Sequence, residues 1–319
     1  MEIRKPEMFN LAEKGGERKL LKQILIFILV YVIASIVGSI PSMIVVAIEM
    51  QAAINNGVDL NSVVMQSDEL QFMYATLFGT LLSSIVVILW CRLIEKRSLR
   101  SIGFKRGNVL RHYAIGMIIA FAMFSLVVGI NLVTGAMTIE SVVANLDHTA
   151  LLCILLFFIG YIFQGAYEEI LTRGYLMVNV GAKYKTVTAL TISAVVFALL
   201  HGGNPGISIV AVINLALIAV FFGLYIICFD NIWGACAMHS VWNFVQGNFY
   251  GIKVSGLNVF ESIFVTRSIP GKELINGGNF GAEGGIATTI AVALSIGILL
   301  MYMKKKGKIE KNTANETSK

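Results

Sequence analysis

The sequence predicts an all-α protein, a polytopic bundle of about eight transmembrane helices. Three observations carry that expectation. Hydrophobic residues make up 56% of the 319 and charged residues only 14%, against about a quarter charged in soluble domains. Mean hydropathy is +0.77. The charges are also gathered into short clusters, and the uncharged stretches between them approach the roughly 20 residues that cross a bilayer core.

The chain opens with a polar segment, 1–23, that carries Arg4, Lys5, Lys14, Arg18, Lys19 and Lys22. The apolar stretch after it is too long for the core of a cleaved signal peptide, so it reads as a first span. Spans are predicted over 24–48, 71–91 and 113–134, which form an N-terminal group. A second group follows at 150–178, 186–201, 206–228 and 232–250, and a last span lies at 286–303 after a loop from 251. Gly38 and Pro41 predict a kink in the first span, tolerable where neighbouring helices satisfy the freed backbone groups.

Lysine and arginine set the orientation. Loop 92–112 holds Arg92, Lys96, Arg97, Arg100, Lys105, Arg106 and Arg111. Loop 51–70 has Asp59, Asp68 and Glu69 but no basic residue, and loop 135–149 has none either. Lys183 and Lys185 follow the fourth span, and Lys304, Lys305, Lys306 and Lys308 open the basic tail 304–319. That alternation predicts eight crossings with both termini cytoplasmic. Loop 251–285, with Lys253, Arg267, Lys272 and a glycine-rich end, falls on the outer side and is expected to fold onto the helices.

The net charge of +6 belongs to residues flanking the spans, which argues against nucleic acid as a partner. Cys91, Cys153, Cys228 and Cys236 sit in or beside apolar segments without CxxC spacing, so neither a disulfide framework nor a thiolate zinc site is expected.

Ionisable groups inside a span cost several kcal/mol and mark functional sites by default. They are lopsided here, concentrated in the fourth, fifth and seventh spans. The first pattern is Glu168-Glu169-Ile-Leu-Thr-Arg173. Adjacent helical residues point about 100° apart, so the two glutamates cannot do the same work. Glu169 and Arg173 are i,i+4 with the acid first, the favourable order for an ion pair. Glu169 with Arg173 is therefore expected to be structural, leaving Glu168 for chemistry; the competing reading ends this helix near Ile170 with its charges at the interface. The second pattern is Phe197-Ala-Leu-Leu-His201, closing the fifth span. The third is His239-Ser-Val-Trp-Asn243, whose two polar residues share one helix face. Interhelical hydrogen bonding would account for that last pair without any function. Counting about 1.5 Å per residue from the span ends puts Glu168, His201, His239 and Asn243 within about two helical turns of depth.

At these residues the chain resembles the CPBP family of intramembrane proteases, which takes in type II CAAX prenyl endopeptidases and bacterial Abi or bacteriocin-immunity proteins. The likeness rests on EExxxR at Glu168, Glu169 and Arg173, FxxxH at Phe197 and His201, and HxxxN at His239 and Asn243, in the family's order. Softer similarities are Ser101-Ile-Gly-Phe104 and Phe280-Gly-Ala-Glu-Gly284. The resemblance implies an intramembrane hydrolase of a membrane-embedded or lipidated peptide or protein, in the plasma membrane of a bacterium. Glu168 would be the base that activates water, His201 would help position that water, and His239 with Asn243 would stabilise the oxyanion. Whether a divalent metal such as zinc joins them stays open: Glu168, His201 and His239 are of zinc-ligand type, but no HExxH pair is present. Two other readings remain: an immunity protein acting by binding, and a proton-coupled transporter, since buried Glu and His also build proton relays.

Overall fold

The computed structural model describes residues 2–13, 19–57, 70–143 and 147–310. Lys14, Arg18, Asp59, Asp68, Glu69 and the tail from 311 onward lie outside the described residues. A short strand β1 (Glu2–Ile3) and helix α1 (Glu7–Ala12) lead into α2 (Leu20–Gly38) and α3 (Ile40–Asn55). Then come α4 (Leu70–Leu89), extended by a π-turn Trp90–Ile94, and α5 (Val109–Val133). Strand β2 (Met137–Val142) precedes α6 (His148–Glu169), which continues through a π segment, Ile170–Met177, to Lys183. The second half holds α7 (Thr186–Leu200), α8 (Ile209–Phe229) and α9 (Trp233–Phe244) with a π-turn Val245–Phe249. Strand β3 (Phe264–Ser268), the short α10 (Glu273–Asn276), α11 (Ile286–Lys305) and strand β4 (Ile309–Glu310) complete the described residues.

Among the described residues, six helices are long and apolar enough to cross a membrane: α2, α4, α5, α6, α8 and α11. The protein is thus an integral membrane helical bundle. The expected first span, 24–48, is two helices that meet at Ser39. Pro41 sits in the first turn of α3, where its missing N–H leaves no helical bond unmade. The segments expected to span over 186–201 and 232–250 form the shorter α7 and α9. The Glu168–Arg173 helix does not end near Ile170, because α6 and its continuation run unbroken over His148–Lys183.

The two ends of the described chain share one face of the bundle, because β1 pairs antiparallel with β4. That face is laced by polar contacts. Lys5 donates to the carbonyl of Ala182 at 2.9 Å. Lys105 lies 2.5 Å from Asp230 and 3.3 Å from Glu7. Partial burial alone would lower the Lys105 ammonium, but its hydrogen bond to Asp230, with Glu7 alongside, holds it above its ordinary value. On the opposite face β2 and β3, distant in sequence, form an antiparallel pair running from Met137↔Ser268 to Val142↔Phe264, with an irregularity between Ile139 and Ser141. The glycine-rich end of the 251–285 loop folds onto the helices, burying Phe280, Ala282 and Glu283.

Helix α9 packs against both α5 and α6. Its approach to α6 requires Gly165, where a Cβ would come 2.6 Å from the backbone nitrogen of Ser240. One turn beyond that contact, Glu169 on α6 reaches His239 on α9.

Candidate active site

The three polar patterns converge from α6, the end of α7 and α9 onto one cavity of about 440 Å³. Gln164, Glu168, His201, His239, Asn243 and Glu283 supply its main polar walls, and Phe197, Leu215, Phe222 and Trp242 are among its apolar ones.

Glu169 and Arg173 lie behind the cavity, both fully buried. Arg173 Nη1 donates to Glu169 Oε1 at 2.9 Å, and the same oxygen meets His239 Nδ1 at 2.9 Å. Arg173 also donates to Thr172 Oγ1 at 2.7 Å, and its guanidinium carbon stacks 4.2 Å above the Phe197 ring. An arginine buried in a membrane protein needs such partners, since removing one leaves an uncompensated charge. Glu169 therefore neutralises Arg173 and orients His239 together, a double role that the i,i+4 spacing alone did not reveal.

Glu168 points the other way, into the cavity. Gln164 Nε2 donates to its Oε1 at 2.6 Å. Its Oε2 faces two imidazoles, 3.7 Å from His201 Nε2 and 3.6 Å from His239 Nε2. His201 Nδ1 lies 2.9 Å from the carbonyl of Phe197. That carbonyl can only accept, so Nδ1 carries a proton, and in the corresponding neutral tautomer Nε2 presents a lone pair to the site. His239 is likewise protonated at Nδ1, against Glu169. Asn243 Nδ2 donates to Gln164 Oε1 at 2.8 Å, which leaves its second N–H available to the cavity.

Gln164 is the candidate site residue that motif reading missed. Its signal was present: a polar side chain in an apolar span, i,i+4 from Glu168 and so on the same face. The π segment after Glu169 had no such signal, because the one-residue widening of a turn depends on neighbouring packing; π-bulges are frequent at functional sites.

The donor set bears on a divalent metal. Two imidazole nitrogens and a carboxylate are the donors of a catalytic zinc site, and both histidines have the oriented Nδ1 partners such ligands carry. Yet among the described residues no group of three His, Cys, Asp or Glu is arranged to hold a metal ion. The set does not fit a closed metal site.

Residues 149–245, under a third of the chain, match the family model described as type II CAAX prenyl endopeptidase Rce1-like. The matched segment runs from the start of α6 to the end of α9 and contains all three motifs. The match supports the resemblance to the CPBP, or CAAX protease, family over that segment. The match thereby supports a CAAX-protease-like intramembrane endopeptidase in general, a hydrolase of peptide bonds. No curated protein and no solved structure matches the chain.

Proposed function

We propose that the protein cleaves a membrane-associated or lipidated peptide with a water molecule activated by Glu168. The observation that carries this is the meeting of Glu168 Oε2 with two imidazole Nε2 atoms at 3.6–3.7 Å in one cavity. A single water can donate one O–H to Glu168 Oε2 and the other to the His201 Nε2 lone pair. As it attacks the scissile carbonyl, its proton passes to Glu168. The oxyanion then accepts from His239 Nε2–H and the free N–H of Asn243, donors whose effect is greatest in a dry, pre-oriented site. Glu168 returns the proton to the leaving amine, and the products are an amine and a carboxylic acid, which then loses its remaining proton to water.

His239 must be an imidazolium to donate from Nε2 while its Nδ1–H serves Glu169. Charge counting supports that state: Glu168, Glu169, Arg173 and His239 then sum to zero. Gln164 bridges base and oxyanion donor, holding Glu168 by Oε1 so that Oε2 faces the water. The distribution of lysine and arginine supports a cytoplasmic location for the face that carries both chain ends.

The test uses purified protein in lipid nanodiscs with a prenylated CAAX peptide and its unlipidated counterpart. Glu168→Gln and His201→Ala are each expected to lower the cleavage rate about 10³-fold while leaving the unfolding temperature in place. Full activity in folded Glu168→Gln protein would remove the proposal. Metal analysis of the same active sample decides whether a cation accompanies the three side chains.

A further inference from the structure

A second carboxylate lines the same cavity. Glu283 is 3% exposed, on the turn Ala282–Gly284 that leads into α11. No ion pair among the described residues includes it. Its charge is met instead by three donors: Trp242 Nε1 at 3.0 Å on Oε1, and Ser255 N at 3.0 Å and Oγ at 2.8 Å on Oε2. A carboxylate without a cation in such surroundings costs several kcal/mol unless hydrogen bonds of this kind compensate it. The turn is itself fixed, because Asn214 on α8 donates to the Glu283 carbonyl at 2.7 Å and the Gly285 carbonyl at 2.8 Å.

The two sides that Glu283 joins are the two sides of the proposed chemistry. Trp242 precedes Asn243 on α9 and lies one turn beyond His239. Ser255 belongs to the loop that caps the His201 turn: Asn204 donates to the Ser255 carbonyl at 3.0 Å. Gly256 packs so closely there that a Cβ would stand 2.0 Å from the Pro205 carbonyl oxygen. Ser255 holds a left-handed backbone, φ 49°, which is strained for a residue with a Cβ and persists where its surroundings over-determine it. The Glu283 bonds to its N–H and hydroxyl supply that determination.

We infer that Glu283 is a positioning residue, which clamps the His201 turn to α9 and so sets the gap between His201 and the His239–Asn243 pair. The inference rests on the hydrolytic reading of Glu168, His201, His239 and Asn243. It acts through Trp242 and Ser255 and does not touch the reacting atoms. A shift of about 1 Å in such a gap costs on the order of 100-fold in rate.

The test compares Glu283→Gln, Trp242→Phe and the double variant in full-length protein in nanodiscs, with wild type and Glu168→Gln as references. Glu283→Gln keeps the shape but gives one of the three donors an NH₂ group to face. It is expected to lower kcat about 30–100-fold with KM within about twofold, because the peptide still binds while the gap widens. Trp242→Phe should lose less, and the double variant no more than Glu283→Gln alone, as expected of residues acting as one unit. Glu283→Asp, which keeps the charge, should recover part of the rate. A folded Glu283→Gln protein with wild-type kcat overturns the clamp, as does a loss confined to KM. If Glu168→Gln is fully active, the hydrolytic reading itself fails, which the reference reports separately. If Glu283→Gln does not fold, Trp242→Phe decides: an unchanged kcat in that variant also overturns the clamp.

Discussion

Helices α2 and α8 are both strongly apolar and each would pass as a membrane span, yet they live in different surroundings. Only 22% of the most apolar stretch of α2 is buried within the protein, against 61% for α8. Leu25, Leu29 and Ile36 of α2 face outward. On α8 the aromatic ring of Phe222 packs against His239, with ring centroids 5.7 Å apart, and Arg173 stands 6.0 Å from the same ring. Lipid tails and protein interiors are equally apolar, so hydropathy does not separate a lipid-facing helix from one that walls a polar cavity. Tertiary packing does: α8 is enclosed by α7, α9 and α11, with its Phe222 turned to the buried His239 and Arg173.

If that contrast is right, substitutions around the buried charges should cost most. Glu169→Gln leaves Arg173 and His239 without their shared carboxylate and is expected to destabilise the protein by about 3–5 kcal/mol, read by thermal unfolding in detergent. A loss below 1 kcal/mol would mean that Arg173 finds another partner. Phe222→Ala should cost about 3 kcal/mol through lost packing, with cleavage also falling as His239 loosens.

Gly165→Ala tests the close approach of α6 and α9. Its Cβ meets backbone rather than a flexible side chain, so about 1–3 kcal/mol of overpacking is expected, together with a lower kcat. Leu25→Ala on α2, by contrast, should stay within about 0.5 kcal/mol. A cost equal to that of Phe222→Ala would break the comparison outright and show that α2 has a protein partner in the membrane.

The smallest expected effect lies outside the bilayer. A hydrogen bond from Lys105, with the nearby charges of Lys105 and Arg100, holds the Glu7 carboxyl below its ordinary value. The docking it provides for α1 is present above the ordinary carboxylate range and is lost as pH falls through the lowered value. Hydrogen exchange across 7–12 should therefore quicken only in acid, and Glu7→Gln should show the faster exchange already at neutral pH.

Several features could be read from the sequence alone, and each was local. Long uncharged stretches foretold the helical membrane bundle because the bilayer punishes every unpaired backbone group and charge. The i,i+4 spacing of Glu169 and Arg173 foretold their pairing because it depends on helix geometry within one segment. The three motifs carried the resemblance to CAAX proteases for the same reason. What only the tertiary structure decided was every relation between segments. The shared grip of Glu169 on Arg173 and His239, the Gln164 bridge from Glu168 to Asn243, and the tie from Glu283 to Trp242 and Ser255 join residues up to 79 positions apart. Polarity announces that a buried side chain must have a partner; which partner it finds depends on how the helices pack.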